Sequence, residues 1–357
     1  MATLEKIKRE DIATTRNLLH EAIPVTGSLV SGSTFTDNNI KNFDHGMFQS
    51  AYDYPYLSSS ANHIFDVTFG VYTGSTGYST TLNSQNAEKH NVYQQMAQVL
   101  YGFDATASVH PFRQSGSYAT SSAIIEAPCF LNLSRLMTKD EIQKNTFRLT
   151  LGTGSMATPS AIFGNSANNG VVIGDYGADV TYNDTNSPAG EFGVLRSGSA
   201  AGGAVGILYY QAGVAVLDIK QLFELSSATG SFISRSGGNG FHMDYDASIE
   251  SGTITQLSNA FRQRFFNLEF NNTTELNSTV YFCRARNNQF NYSSNPTYLS
   301  SSQIIVKENN SNNQPFSYIT TVGLYSADNA LMAVAKLSEP IKKTPSNELT
   351  VRVRLDY

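Results

Sequence analysis

The chain has 357 residues, 40% hydrophobic and 15% charged, with a formal net charge of −5. So low a charged share, against roughly 25% in ordinary soluble domains, leaves a surface of Ser, Thr, Asn and Gln, which suits a β protein with polar loops or one largely covered by neighbours. Scattered Lys and Arg, with Lys342-Lys343 too short for a basic patch, exclude an electrostatic nucleic-acid footprint.

The N-terminus lacks an apolar signal core and no run approaches the length of a membrane span, so no membrane partner is expected. The chain is expected to stay in a cytosol unless it leaves as part of an assembly. The length allows two domains or one large β domain.

In chain order, Leu4, Ile7, Ile12, Leu18, Leu19 and Ile23 fall near one face at helical spacing before Pro24. This predicts an amphipathic helix over Leu4–Ile23, followed by a Gly- and Ser-rich link at Thr26–Thr36. His63 to Tyr72 alternates, with Phe65, Val67, Phe69 and Val71 on one side, and predicts a strand. Ser84 to Tyr101 predicts a second helix with Val92, Tyr93, Met96, Val99 and Leu100 as its stripe, capped by Ser84 and ended by a left-handed Gly102. Strands are predicted at Ile124–Leu133 and Phe147–Leu151. Thr138 and Glu141 have the spacing of a capping box opening a short helix between them.

Gly152 to Gly203 reads as loops broken by short apolar runs such as Val171-Val172-Ile173. A strand follows at Val205–Val216, then helical turns at Asp218–Leu225 and a helix at Thr253–Phe265, after which Phe266, Leu268 and Phe270 switch to period two. Past Thr279 the pattern is β throughout: Val280–Ala285, Ile304–Lys307, Tyr318–Tyr325, Leu331–Leu337 and Leu349–Leu355. Ser326-Ala327-Asp328-Asn329 predicts a hairpin turn, and Pro340 and Pro345 bracket a link into the last strand.

A search for chemistry yields no motif. His20, His45, His63, His90, His110 and His242 are not paired at metal-ligand spacing. Asp44-His45 and His242-Met243-Asp244-Tyr245-Asp246 set carboxylates near a histidine, as solvated loops commonly do. Asp244 or Asp246 could serve as one glycosidase carboxylate. Gly152-Thr153-Gly154-Ser155 lacks the Lys-Ser/Thr of a phosphate loop, and Gly198-Ser199 lacks the spacing of a nucleophile elbow. Cys129 and Cys283 stand in strand-like apolar settings and read as buried reduced thiols, a disulfide staying open. Asn-x-Ser/Thr triplets, as at Asn132 and Asn271, follow from Asn/Ser richness. The expectation is therefore a non-enzyme with no catalytic, cofactor-binding or metal residues and no cofactor.

The string Tyr281 to Thr297, with Tyr318-Ile319-Thr320-Thr321-Val322-Gly323-Leu324-Tyr325 and Leu331-Met332-Ala333-Val334-Ala335-Lys336-Leu337, resembles virion structural proteins of tailed bacteriophages. Phe43 to Ser50 and Tyr54 to Asn62 give the same resemblance. Together these strings span under half of the chain, and nothing in Gly152–Phe270 takes part. The resemblance implies a virion component of the tail or baseplate, with other virion proteins and copies of itself as partners. It carries no catalytic residues.

The expected architecture is mainly β with a few helices: an N-terminal helix and link over 1–36, an antiparallel sandwich-like body over 37–270 and a C-terminal β module over 271–357. The expected function is assembly, through the N-terminal helix and the C-terminal strands. A neck, collar or head decoration protein is the alternative. An adhesin binding host carbohydrate is an alternative of another class, with Trp, the commonest stacking residue, absent.

Overall fold

The computed structural model describes residues 4–25, 30–31, 34–35, 38–75, 84–104, 106–114, 123–153, 170–179, 187–225, 233–234, 242–243, 245–293, 295–300, 303–304, 312 and 314–357. The chain divides into a small unit, Met1–Leu18 with Glu275–Tyr357, and a large unit, Leu19–Thr274. The N-terminal segment thus groups with the C-terminal strands. The fold is mainly β and antiparallel, with a few helices, as the alternation of the sequence implies.

The strands of the sheet are β1 (Ile12–Val25), β2 (Ile40–Asn42), β3 (Gln49–Tyr52), β4 (His63–Phe69), β5 (Cys129–Leu133), β6 (Glu141–Ile142), β7 (Arg148–Gly152) and β8 (Gly170–Gly174). They continue with β9 (Phe192–Ser197), β10 (Ala204–Tyr209), β11 (Val214–Leu217), β12 (Phe265–Ala285) and, near the C-terminus, β15 (Leu349–Asp356). Between them lies a separate two-stranded ribbon, β13 (Ser317–Tyr325) and β14 (Leu331–Lys343). The helices are α1 (Ser84–Leu100), α2 (Arg135–Thr138), α3 (Ile219–Leu225), α4 (Tyr245–Ser251) and α5 (Ile254–Arg264).

In the large unit the strand order runs β1-β12-β7-β8-β9-β10-β11-β5-β4-β3-β2. Seven strand spacings separate β12 from β4, about 34 Å in a flat sheet at about 4.8 Å each. Yet the rings of Phe65 on β4 and Phe265 at the start of β12 stand 5.1 Å apart. The sheet is therefore curled until its distant strands meet, and one long sheet makes the sandwich-like enclosure. Phe65, Val67, Leu131, Phe147, Leu149 and Leu217 line the enclosed core, which Leu257, Ala260 and Phe261 of α5 help to fill.

The opposite face carries a second core under α1. Val92, Tyr93, Ala97 and Leu100 pack with Phe130, Ile207, Tyr209 and Val216. β5 shows why both cores are needed, since Cys129, Leu131 and Leu133 point into the first and Phe130 into the second. Val99, expected in the helix stripe, is instead 63% exposed, and Ala97 takes the buried place. Gly102 has φ +88°, and its amide returns to Ala97 O at 2.9 Å, the left-handed stop its position implies. Ser84's side chain, expected to cap α1, lies outside the described residues. Gly193 serves by size: a Cβ there would lie 2.0 Å from the Tyr210 hydroxyl.

Several expectations are corrected. Leu4–Ile23 is not a helix. A 3-10 turn at Arg9–Asp11 leads into β1, which lies beside β12. Leu18 and Leu19, on the supposed apolar stripe, are 48% and 50% exposed. Ile23 packs against the large core, and main-chain pairing to a long strand outweighs local helix propensity for the rest of the segment. Thr138 does not open a helix. It ends α2, Lys139 turns at φ +55°, and Glu141 lies in β6 opposite Thr273. The amides of Asp140 and Ile142 go to Thr273 O and Tyr210 O, so no cap is needed there.

The true capping box is at α5. Thr253 Oγ1 accepts from Gln256 N at 3.1 Å and Gln256 Oε1 accepts from Thr253 N at 3.0 Å. Val205–Val216 is not one strand but the hairpin β10–β11, turned at Gly213 with φ +67°. Pro340 lies inside β14 and not in a link. Between Ile341↔Ile319 and Lys336↔Thr321 the ribbon register shifts, so Pro340 sits in a bulge that asks no donor of it. Most of the Thr26–Thr36 link and residues 305–307 lie outside the described residues.

Candidate functional site

The histidines are dispersed. His90 Nδ1 lies 2.9 Å from Val71 O, and His20 Nδ1 lies 3.0 Å from Thr273 Oγ1. His110 packs edge-on against Tyr101 at 5.2 Å, and His45 stacks with Phe43 at 5.3 Å. His242 pairs through its backbone with Ser234, and Asp244, Gly154 and Ser155 lie outside the described residues. Asp246, offered as a glycosidase carboxylate, is ion-paired to Lys220 at 2.9 Å. No group of three or more His, Cys, Asp or Glu among the described residues is placed to hold a metal. No helix among the described residues is long and apolar enough to cross a membrane. Cys129 and Cys283 are free thiols, both pushed up by burial.

One constellation escaped the sequence. Ser50, Asp66 and His63 meet on β3 and β4, with Ser50 Oγ 2.5 Å and His63 Nε2 2.8 Å from the same Asp66 oxygen. A nucleophile relay needs the histidine between serine and carboxylate. Here the carboxylate stands between the other two. Ser50 and Asp66 are cross-strand partners, so the cluster ties β3 to β4.

A second polar node is buried at Asp175. Its carboxylate accepts from Asn145 N at 2.6 Å, Phe147 N at 3.0 Å, Arg148 Nη1 at 3.0 Å and Tyr210 Oη at 3.2 Å. Burial nonetheless pushes its pKa up to about 6. Arg148 also stacks over Tyr176 at 4.0 Å. Every partner is structural, and the node clamps the turn before β7 to the ends of β8 and β10. Two buried cations act similarly: Arg264, lowered to about 9 by burial, donates to Gly152 O at 3.0 Å, and Lys89, lowered to about 8, donates to Ile249 O.

The small unit is built differently. Its apolar side chains buried among the described residues are Val280, Ala285, Leu324 and Val353. β15 pairs with β12 from Ser278↔Asp356 to Ala285↔Leu349. Ser278 Oγ and Arg354 Nε reach Asp356 Oδ1 at 2.6 and 2.7 Å and hold its carboxyl below the usual range. Asp11, from the N-terminal segment, accepts from Arg284 Nε at 2.7 Å.

The ribbon β13–β14 is firmly rooted, and beyond its base it buries Leu324 but leaves several of its large apolar side chains exposed. At its base Lys343 is fully buried and donates to Thr344 O at 2.8 Å, Asn291 Oδ1 at 2.9 Å and Asn287 O at 3.3 Å. Ser317 Oγ donates to Phe290 O at 2.6 Å. At its tip Asn329, with φ +63°, closes the expected Ser326–Asn329 turn, where Ser326 N donates to Ala330 O at 2.9 Å. Between the two, Tyr318 is 49%, Tyr325 48%, Leu331 53%, Met332 72% and Val334 55% exposed. Tyr325 faces Leu331 and Gly323 faces Val334 across the pair, so Tyr325, Leu331 and Val334 share one uncovered face. A two-stranded ribbon with one apolar face left uncovered among the described residues is a feature of binding surfaces.

A scan against protein-family models, a search of curated proteins and a search of solved structures each returned no significant match.

Proposed function

We propose that the chain is a non-enzymatic structural component of a tailed-phage virion that acts by subunit assembly in the tail or baseplate. The observation that carries the reading is the ribbon β13–β14, whose Tyr318, Tyr325, Leu331, Met332 and Val334 are exposed while its base is locked by Lys343. Its two strands are also the strings that resemble virion proteins. The N-terminal docking helix drops out of the reading, since that segment is strand β1. Deleting Leu4 to Ile23 therefore removes a partner of β12, and is expected to impair folding and not assembly alone.

The test is a mass-spectrometric inventory of purified particles with copy number. Presence at a multiple of six or twelve supports the tail or neck, and hundreds of copies the head. Absence from particles overturns the reading. The adhesin alternative has one observation of its own: the loop after β3 exposes Tyr54 at 59% and Tyr56 at 38%. Loss of host adsorption by intact particles carrying Tyr54→Ala and Tyr56→Ala would favour it.

A further inference from the structure

Beside the two-residue pair Leu299–Ser300 and Gln303–Ile304, four strands of the small unit have a single strand neighbour among the described residues, and so each has one open edge: the Ile12–Leu18 part of β1, β13, β14 and β15. Open edges invite pairing with other chains, and folded proteins guard them with charge, proline or bulges. Three of the four are guarded. β14 carries Lys336, Glu339, Pro340 and Lys342 and a bulge. β15 carries Arg352, Arg354 and Asp356, and β1 carries Arg16.

β13 has none of these. Ser-Tyr-Ile-Thr-Thr-Val-Gly-Leu-Tyr contains no charge and no proline and is rich in β-branched and aromatic residues. Such a segment left open is a template for aggregation, so its bare state is not its working state.

From this contrast we infer that β13 pairs antiparallel with β13 of a second copy of the chain, joining two ribbons into one four-stranded sheet. Antiparallel partners share a face, so a strand pairs with its own copy only where the two residue numbers sum to an even value. Full overlap of the nine residues meets this condition. It places Thr321 on the two-fold axis, with Tyr318 opposite Leu324, Ile319 opposite Gly323 and Thr320 opposite Val322 of the copy. No charge meets a like charge. For β15 the two most overlapped allowed registers set Arg352 opposite either Arg352 or Arg354 of the copy, which repels. A two-fold contact also needs only this one edge, where a foreign partner would need a matching edge of its own.

The inference rests on the assembly reading for its biological setting, and its test is separate. Sedimentation of the purified full-length chain is expected to show a dimer. Thr321→Lys and Thr321→Glu each set like charges on the axis and are expected to weaken the dimer about tenfold or more. Mixing the two variants restores it, and Arg352→Glu on β15 leaves it unchanged. A monomeric wild type, dimers indifferent to both Thr321 variants, mixtures that stay dissociated, or loss of the dimer in Arg352→Glu would each overturn the proposal. If the charge variants do not fold, Thr321→Cys in a Cys283→Ser background is oxidised instead. A disulfide-linked dimer supports the pairing and its absence overturns it. A monomeric chain found in particles removes this inference and keeps the assembly reading; a dimer absent from particles does the reverse.

Discussion

The two units use opposite means of holding together. The large unit buries apolar side chains on both faces of a curled sheet, and its polar residues inside are clamped, as at Asp175. The small unit buries Val280, Ala285, Leu324 and Val353 and depends on main-chain pairing and local anchors such as Lys343. A unit that buries enough apolar surface is stable alone. One that leaves a face of a two-stranded ribbon uncovered gains stability when something covers it. The same kind of substitution should therefore act on folding in one unit and on association in the other.

The sharpest break in that contrast is a core truncation. Phe65→Ala, which empties the place where β4 meets Phe265, is expected to cost about 3–5 kcal/mol in chemical denaturation. Next is Asp175→Ala, which strips the acceptor from Arg148, the Tyr210 hydroxyl and two backbone amides. A loss of about 3 kcal/mol is expected, with a lower thermal midpoint as the readout.

Lys89 sharpens the comparison through pH. Its folded pKa, about 8, lies below the ordinary 10.5, so between these values the unfolded chain binds more protons. Stability from this residue accordingly rises as pH rises from about 8 to about 10.5 and is lowest below 8. Lys89→Met should flatten that rise and raise stability at pH 7 by up to about 3 kcal/mol, read from denaturant midpoints at the two ends of the window. Thr253→Ala, which removes the α5 capping box, is expected to cost about 1 kcal/mol in the same assay.

In the small unit, Tyr325→Ser with Leu331→Ser should change the folding of the isolated chain least, within about 0.5 kcal/mol, because both side chains are half exposed.

Much of this architecture is legible in the sequence wherever one face decides. Phe65, Val67 and Phe69 announce β4, and Leu349, Val351, Val353 and Leu355 announce β15. Gly102 and the Ser326–Asn329 turn are legible because a left-handed stop and a tight turn restrict residue type locally. The N-terminal segment is not. Its apolar residues fit helical spacing, and what makes it a strand is β12, more than two hundred residues away. The β10–β11 turn was hidden for another reason. Val205–Tyr209 and Val214–Val216 are each buried on both faces, so no alternation marks where the chain reverses.

The candidate surface was half legible. Tyr318, Tyr325, Leu331 and Val334 read as strand residues, but a period of two says which side chains share a face and not whether that face is covered. Ser50, Asp66 and His63 were illegible as a group because strand register alone brings Ser50 opposite Asp66.

The central claim is that the ribbon serves assembly and not the stability of the chain that carries it. The most direct test is to produce the Tyr325→Ser, Leu331→Ser chain in infected cells and measure both its thermal midpoint and its copy number in purified particles. The account predicts an unchanged midpoint and a chain missing from particles. A chain that enters particles at wild-type copy number would contradict it.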